Sequence, residues 1–197
     1  MLKDIFRFIR FLNKYQAVER SVPVPDREIL ENDVEHSYQL AMIAWYVVDR
    51  KKLKLSKERI WEYSLAHDLV EVYAGDTDAH TASEEEKQSK EGREHVAFEK
   101  IKEEFPGFAS LHKVIERYER REDDESKLVY VLDKILPVMN VYIASDDYYV
   151  RNGVTHEKYV EWLKGKIQNV SMSVLGFEDL VEELLVFLDK KRKGFFK

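Results

Sequence analysis

The chain contains no cysteine among its 197 residues, which excludes disulfide bonds, thiolate zinc sites and cysteine nucleophiles. It also lacks a long apolar run: the longest, residues 40–48, has nine residues, whereas a membrane-spanning helix needs about 20. Charges interrupt the N-terminal stretch M-L-K-D-I-F-R-F-I-R-F-L, which therefore has no continuous signal-peptide core. These absences predict a soluble protein of a reducing, cytoplasmic compartment, with no membrane partner.

An excess of positive charge is missing as well. Lysine and arginine number 32 against 38 acidic residues, which gives a formal net charge of −6. This balance argues against nucleic acid as a partner, because such binding needs clustered cations that neutralise phosphates. It remains compatible with one small anionic substrate. The 36% charged fraction exceeds the usual quarter and predicts long solvated helices.

The hydrophobic residues repeat with a helical period along nearly the whole chain, and no alternating strand pattern is evident. We therefore predict a single all-α domain, 1–197, built as a bundle of about eight helices. Ser56, Ser83 and Thr155 are the expected N-caps. The first helix should pack through one face, formed by Ile5, Phe8, Ile9 and Leu12. The expected helices span 2–16, 35–52, 56–74, 83–105, 108–121, 125–151, 155–175 and 177–192.

The longest stretch predicted to be non-helical is 17–34, which carries Pro23 and Pro25. Such a loop in a compact domain is more often functional than idle. It precedes E-N-D-V-E-H-S, in which His36 opens the most apolar helix of the chain and should therefore face inward.

His67 and Asp68 lie side by side in the apolar stretch S-L-A-H-D-L-V-E-V-Y-A-G-D. A buried carboxylate needs a partner, because an isolated one is costly in apolar surroundings. Asp133 lies in a similar setting, K-L-V-Y-V-L-D-K-I-L-P; taken alone, it would be interpreted as a partner of Lys127 or Lys134. Together with His36, these residues form a set of two imidazoles and two carboxylates, which suits a divalent transition metal.

Glu71 follows His67 by four residues and Asp68 by three, which predicts a shared helical face. A carboxylate there could act as general acid or base, the alternative being a solvated helix residue. Gly75 should end this helix and place Asp76 and Thr77 on a loop over the site.

The ordered pattern H…HD…E…GD…D, with the two segments quoted above, resembles the HD-domain metal-dependent phosphohydrolases, and more narrowly the branch containing the bacterial 5′-deoxynucleotidases. The resemblance runs from about residue 2 to 150, with its core motifs within 20–133. It implies that Glu71 is the catalytic carboxylate and that Arg20, or alternatively Arg27, orients the phosphate. Asp76 and Thr77 would line the nucleotide site. The implied metal ligands are His36, His67, Asp68 and Asp133.

The implied reaction is hydrolysis of nucleoside 5′-monophosphates to nucleoside and phosphate, with 2′-deoxyribonucleotides as the first expectation for the substrate. One divalent ion is expected. Cobalt and manganese are the first candidates, and zinc, nickel and magnesium are alternatives. Ser21 stands where well-known relatives have tryptophan, which leaves the sugar preference open. Val72 argues against the stringent-response hydrolases, which have aspartate there, and the absence of G-Y-P after the HD pair argues against cyclic-dinucleotide phosphodiesterases.

Two other functions remain open from the sequence. One is an HD phosphohydrolase that acts on nucleoside di- or triphosphates or on cyclic nucleotides. The other is a non-catalytic nucleotide- or metal-binding module. The C-terminal helices, within 155–192, carry a wide apolar surface that includes Phe177, Leu184 and Leu185, which predicts either internal packing or dimer contacts. Because the family often forms homodimers, we expect a homodimer.

Overall fold

The computed structural model describes residues 1–168, 170 and 178–197, with residue 178 described in its backbone only. The described part is mainly helical and contains eight helices of ten residues or more, which confirms the all-α fold. Two helices of one turn and two short strands complete it. In chain order the elements are α1 Leu2–Gln16, β1 Glu19–Pro23, β2 Leu30–Asn32, α2 Asp33–Lys51, α3 Lys57–Ala66, α4 Glu71–Ala74, α5 Glu84–Glu104, α6 Ala109–Glu119, α7 Asp124–Ile143, α8 Tyr148–Arg151, α9 His156–Ile167 and α10 Glu178–Phe195.

The stretch 17–34 is not a plain loop, so the prediction of no strand was wrong. Strands β1 and β2 pair antiparallel, with Glu19 opposite Asn32 and Pro23 opposite Leu30. Their turn includes Asp26 in the left-handed region, at φ 61°. The strands lack apolar alternation because charged side chains of the hairpin, such as Arg20 and Glu31, point into the protein, where they contact each other.

Two predicted helices are each divided. The expected helix 56–74 stops at Ala66, and a turn over residues 67–70 separates α3 from α4. The expected helix 125–151 is divided into α7 and α8, where Ser145 adopts a positive φ of 52°. The predicted end of helix 155–175 and the predicted start at Phe177 lie outside the described residues.

The predicted N-caps are confirmed. Ser56 and Thr155 each accept a hydrogen bond from a backbone N–H of the following first turn. Ser83 forms a full capping box with Glu86. Such caps satisfy donors that a helix start leaves free, and they fix where α3, α5 and α9 begin.

The core consists of two clusters. The larger one surrounds α7, whose Leu128, Val129 and Val131 are fully buried, and it includes side chains of α2, α3, α9 and α10. The smaller one joins α1, α5, α6 and the segment after α3. Among the described residues, no helix has both the length and the apolar character needed to cross a membrane. The assignment of the chain to one domain stays a prediction.

The predicted inner face of α1, formed by Ile5, Phe8, Ile9 and Leu12, was wrong except at Phe8. Ile5 and Ile9 are 48% and 46% exposed, whereas Phe11 and Tyr15 are buried. Phe8 packs with them, its ring 5.3 Å from that of Phe105. Helix α1 is apolar on two sides, so the period of its apolar residues could not decide which side faces the core.

Candidate metal centre

The four residues predicted as metal ligands come together between three segments. His36 lies in the second turn of α2, His67 ends α3, Asp68 follows in the turn, and Asp133 lies in α7. Each offers one ligand atom, and these atoms all lie within 4.8 Å of one another. His36, His67 and Asp133 are buried, at 0%, 2% and 4% exposure. The cluster could therefore hold one metal ion away from solvent.

The end of α3 orients His67 for such an ion. Its Nδ1 donates to the Ser64 carbonyl oxygen at 3.0 Å, which leaves the Nε2 lone pair for the cluster. Nε2 lies 2.9 Å from Asp68 Oδ2 and 3.8 Å from Asp133 Oδ1. It has no hydrogen-bond partner in the described part of the chain. A lone pair that faces two carboxylates is favourable only with a proton or a metal cation between them, and two imidazoles with two carboxylates are donors that fit a divalent metal.

His36 is oriented by a residue that the sequence reasoning missed. Its Nε2 lies 3.0 Å from Asp133 Oδ1, while its Nδ1 lies 3.3 Å from Glu31 Oε2. Glu31 is buried in β2 and also accepts a hydrogen bond from Asn140 at 3.2 Å. A carboxylate on the far side of a histidine fixes the ring and raises its basicity as a ligand.

Asp133 contacts more than the histidines. Lys134 Nζ lies 2.6 Å from Asp133 Oδ2, so the interpretation of Asp133 as a lysine partner also holds. Lys127 contacts Asp124 instead, at 3.1 Å. Burial would raise the pKa of Asp133, but Lys134 and then His36 lower it well below the ordinary range. Asp133 is therefore ionised, as a metal ligand must be.

Arg20 lies in the site and Arg27 does not. The Arg20 Nη1 atom lies 2.9 Å from Asp68 Oδ2 and 3.4 Å from Asp33 Oδ1, and its side chain is only 11% exposed. Arg27 contacts Glu35 at 3.1 Å and is 56% exposed. The hairpin explains the difference, because Arg20 is on strand β1 whereas Arg27 is at the solvent-facing turn.

Glu71 opens α4 beside the cluster rather than continuing α3 as predicted. It is 3% exposed, and its Oε2 has no hydrogen-bond partner among the described residues. Its Oε1 lies 3.8 Å from Lys90 Nζ. Burial, and after it the charge of Asp68, raises the pKa of Glu71 well above its ordinary value. The surroundings of the Glu71 carboxyl therefore favour its protonated form in the absence of a metal.

A second acidic residue, Asp33, was also missed. It is fully buried at the start of α2, and burial followed by the charge of Asp68 raises its pKa to about 7. Asp33, Asp68 and Glu71 bring carboxylate oxygens within 4.8 Å of one another. Asp33 could not be recognised from the sequence, because acidic residues are also common as solvated residues in the first turn of a helix.

A cleft of about 320 Å³ extends from this cluster toward α8 and α9. Asp76 and Thr77 line it, on the loop that follows Gly75. Gly75 adopts a positive φ of 76°, which favours glycine, and it ends α4 as predicted. Thr77 Oγ1 accepts a hydrogen bond from Arg93 Nη2 at 2.7 Å, which ties the loop to α5.

The loop is held on its other side by Asp78. Its carboxylate accepts hydrogen bonds from Ser21 Oγ, from the Tyr148 hydroxyl at 2.6 Å, and from the backbone N–H groups of His80 and Thr81 at 2.7 Å each. Burial raises the pKa of Asp78, but the bonds from Ser21 and Tyr148 bring it to about 2. Asp78 thus joins β1, the loop 75–83 and α8.

A model of the HD domain family matches residues 12–174, so the chain belongs to the HD domain family. Among solved structures, it is similar to a predicted metal-dependent phosphohydrolase from Magnetospirillum magnetotacticum, with 24% identity over 100% of this chain and 98% of that one and a TM-score of 0.76. It is also similar to a protein from Pyrococcus horikoshii (19% identity, 94% and 98% covered, TM-score 0.62).

An HD-domain phosphohydrolase from Listeria innocua is a more distant structural neighbour (18% identity, 92% and 98% covered, TM-score 0.50). These likenesses show that the fold is shared. No curated protein matches the sequence.

Proposed function

We propose that the protein is a metal-dependent phosphomonoesterase of the cytoplasm that hydrolyses nucleoside 5′-monophosphates to nucleoside and phosphate. The first candidates for its substrate are 2′-deoxyribonucleoside 5′-monophosphates. The observation that carries the proposal is the meeting of three groups in one cleft. These are the two-histidine, two-aspartate cluster, the largely buried Arg20, and the buried carboxyl of Glu71.

His36, His67, Asp68 and Asp133 would hold one divalent ion, cobalt or manganese first. Such an ion, when bound, withdraws electrons from a phosphoryl oxygen and lowers the pKa of a water molecule. Glu31 and the Ser64 carbonyl keep the two imidazoles in orientation.

Arg20 would bind the phosphate. Its guanidinium is already held by carboxylates of Glu31, Asp33 and Asp68, at 3.4, 3.4 and 2.9 Å, so little side-chain freedom is lost when substrate arrives. A guanidinium fixed in this way can stabilise the charge that develops on the phosphoryl oxygens.

Glu71 would donate its proton to the leaving 5′-oxygen. Burial raises the pKa of Glu71 well above its ordinary value, which favours the protonated carboxyl, and the unpartnered Oε2 is available to a substrate atom. Asp76 and Thr77 would line the nucleoside side of the cleft. The Ser21 hydroxyl donates a hydrogen bond to Asp78. The preference for deoxyribose over ribose is therefore tested directly, by comparing ribo- and deoxyribonucleotides as substrates.

The test is phosphate release from ribo- and deoxyribonucleoside 5′-monophosphates, with cobalt, manganese, magnesium, zinc or nickel, before and after metal removal by a chelator. Nucleoside di- and triphosphates and cyclic nucleotides are tested alongside, because release of pyrophosphate or ring opening would favour the other HD-type activities. Arg20→Gln should lower turnover at least a hundredfold, whereas the exposed Arg27→Gln should retain it. No turnover with any monophosphate and any metal would refute the proposal.

A further inference from the structure

The end of the cleft away from the metal cluster is lined by one face of α9. Tyr159, Trp162 and Lys166 are spaced three and four residues apart, so they share this face, and all three line the cleft. His80 lines it from the loop 75–83. The site described above uses none of these four residues.

The aromatic rings at this end are packed around His80. Its ring centroid lies 4.8 Å from that of Trp162 and 5.7 Å from those of Tyr149 and Tyr159. The tyrosines are core residues, at 2% and 1% exposure, whereas Trp162 and His80 are only partly buried. The tyrosines thus form a rigid wall, and the indole and the imidazole in front of it keep surface that a ligand could cover.

Polar groups at this end lack partners. The Tyr159 hydroxyl is buried and forms no hydrogen bond with any described residue. Internal packing does not explain such a hydroxyl, because an unpaired buried polar group is destabilising. Lys166 is exposed at the edge of the cleft and forms no ion pair within the described part of the chain.

The loop that carries His80 is held in place at both sides. Asp78 binds Ser21 and Tyr148, and Arg93 binds Thr77 and the Ala74 carbonyl. The His80 imidazole is therefore fixed opposite Trp162 before any ligand arrives, which lowers the entropic cost of binding.

We propose that Trp162 and His80, backed by Tyr159, form the subsite for the planar nucleobase of the substrate, with Lys166 at its polar edge. The inference rests on the proposed function, since the same cleft would hold the phosphate at the metal cluster and the base at α9. A base has two apolar faces and a polar edge, which match aromatic rings beside an unpaired hydroxyl and an ammonium group.

The position of the tryptophans allows a direct test. The chain has three, and Trp45 and Trp61 contact each other outside the cleft, with ring centroids 5.4 Å apart. A Trp45→Phe/Trp61→Phe protein therefore reports on Trp162 alone. In a Glu71→Gln background that slows turnover, thymidine or deoxyadenosine 5′-monophosphate should quench this emission, and deoxyribose 5-phosphate should not. The control protein, Trp45→Phe/Trp162→Phe, reports on Trp61 and should not be quenched.

Calorimetry in the same Glu71→Gln background gives the energetic counterpart. Trp162→Ala should weaken nucleoside monophosphate binding by about tenfold to a hundredfold, as expected for a lost stacking contact, and should leave the affinity for inorganic phosphate unchanged within twofold. Equal weakening of both ligands would make the effect structural and overturn the subsite. If the protein releases phosphate from nucleotides but Trp162 emission is not quenched, the base subsite alone is overturned. If nucleotides quench Trp162 emission but are not hydrolysed, the subsite is supported and the hydrolase proposal is refuted.

Discussion

The surroundings of Glu71 suit a role in proton transfer better than a role as a metal ligand. It lies beside the four-residue cluster, with one oxygen near Lys90 and the other unpartnered among the described residues. We predict that Glu71→Gln retains the metal, because the predicted ligand set is complete without it. Turnover should fall by about two to four orders of magnitude, the usual contribution of a positioned acid or base. Single-turnover phosphate release, paired with metal content, measures both effects.

Glu94 supplies the matched control for Glu71. It contacts the same lysine, at 3.3 Å from Lys90 Nζ, but does not line the cleft. Glu94→Gln should therefore keep near-normal turnover. Loss of metal from Glu71→Gln would make Glu71 a ligand, and equal losses in both variants would attribute the effect to Lys90.

Asp33 should give the metal-free protein a distinctive pH dependence. Its folded pKa of about 7 exceeds the ordinary 3.8, because burial and Asp68 disfavour its charge. The folded state therefore holds this proton more tightly than the unfolded state, and stability is lost as pH rises from about 4 to 7. The loss from this residue should be roughly 2–4 kcal/mol, by linkage.

Urea unfolding of chelator-treated protein at pH 4.5 and 7.5 measures this loss. Glu71 and Asp76, whose pKa values are also raised by burial, act in the same direction, so the wild type should lose more than Asp33 alone accounts for. Asp33→Asn should show a smaller loss. Asp26→Asn, at the positive-φ hairpin turn where asparagine fits, should follow the wild type. An identical loss in Asp33→Asn would contradict the assignment.

At the level of elements, the sequence predicted best where the local chemistry is sufficient. The capping residues Ser56, Ser83 and Thr155 start helices through contacts within four residues, and all three were found. The positions of α2 and α7 followed from long apolar periods. The four-residue cluster was identified because buried acids beside histidines need a partner, and the structure brings these residues together.

The errors lie where tertiary contacts override local pattern. The break after Ala66 interrupts an unbroken helical period, and it carries His67 and Asp68 into the cluster. Glu31 and Asp33 were missed because the β1–β2 hairpin, which brings them into contact with Arg20, was not predicted.

The junction of β1, the loop 75–83 and α8 depends on one carboxylate, that of Asp78. We predict that Asp78→Ala lowers the free energy of unfolding by about 2–4 kcal/mol, because it removes charged hydrogen bonds and leaves the buried Tyr148 hydroxyl without its acceptor. The affinity for nucleotide should fall as well, since the same loop carries Asp76 and Thr77.

Asp146 is the control for Asp78, because it accepts a hydrogen bond from the backbone N–H of Tyr148 at 2.8 Å on the outer side of α8. Asp146→Ala should cost about 1 kcal/mol or less. Urea unfolding and calorimetric nucleotide binding compare the two variants. Equal effects would show that Asp78 contributes no more than a local contact to α8 and does not hold the junction together.

On the scale of the whole molecule, the remaining prediction concerns the oligomeric state. The expectation of a homodimer came from the family resemblance, with the apolar surface of the last helix as one possible contact. In the described part of that helix, Val181, Leu184 and Leu188 are buried in the chain's own core, and Leu185 packs against it. These side chains of α10 are therefore covered within the chain, and the homodimer stays a prediction that needs another surface.

The outer face of α2 is a better candidate for a dimer contact. Tyr38, Met42 and Tyr46 are 65%, 43% and 64% exposed, spaced four residues apart along one side. Exposed aromatic and methionine side chains are enriched at interfaces between proteins. Light scattering should therefore give about twice the chain mass of 23.4 kDa. Met42→Glu should halve that mass, whereas Val186→Glu, at the exposed side of α10, should not. A wild-type mass near 23.4 kDa would refute the dimer, and dissociation by Val186→Glu alone would return the contact to the C-terminal helix.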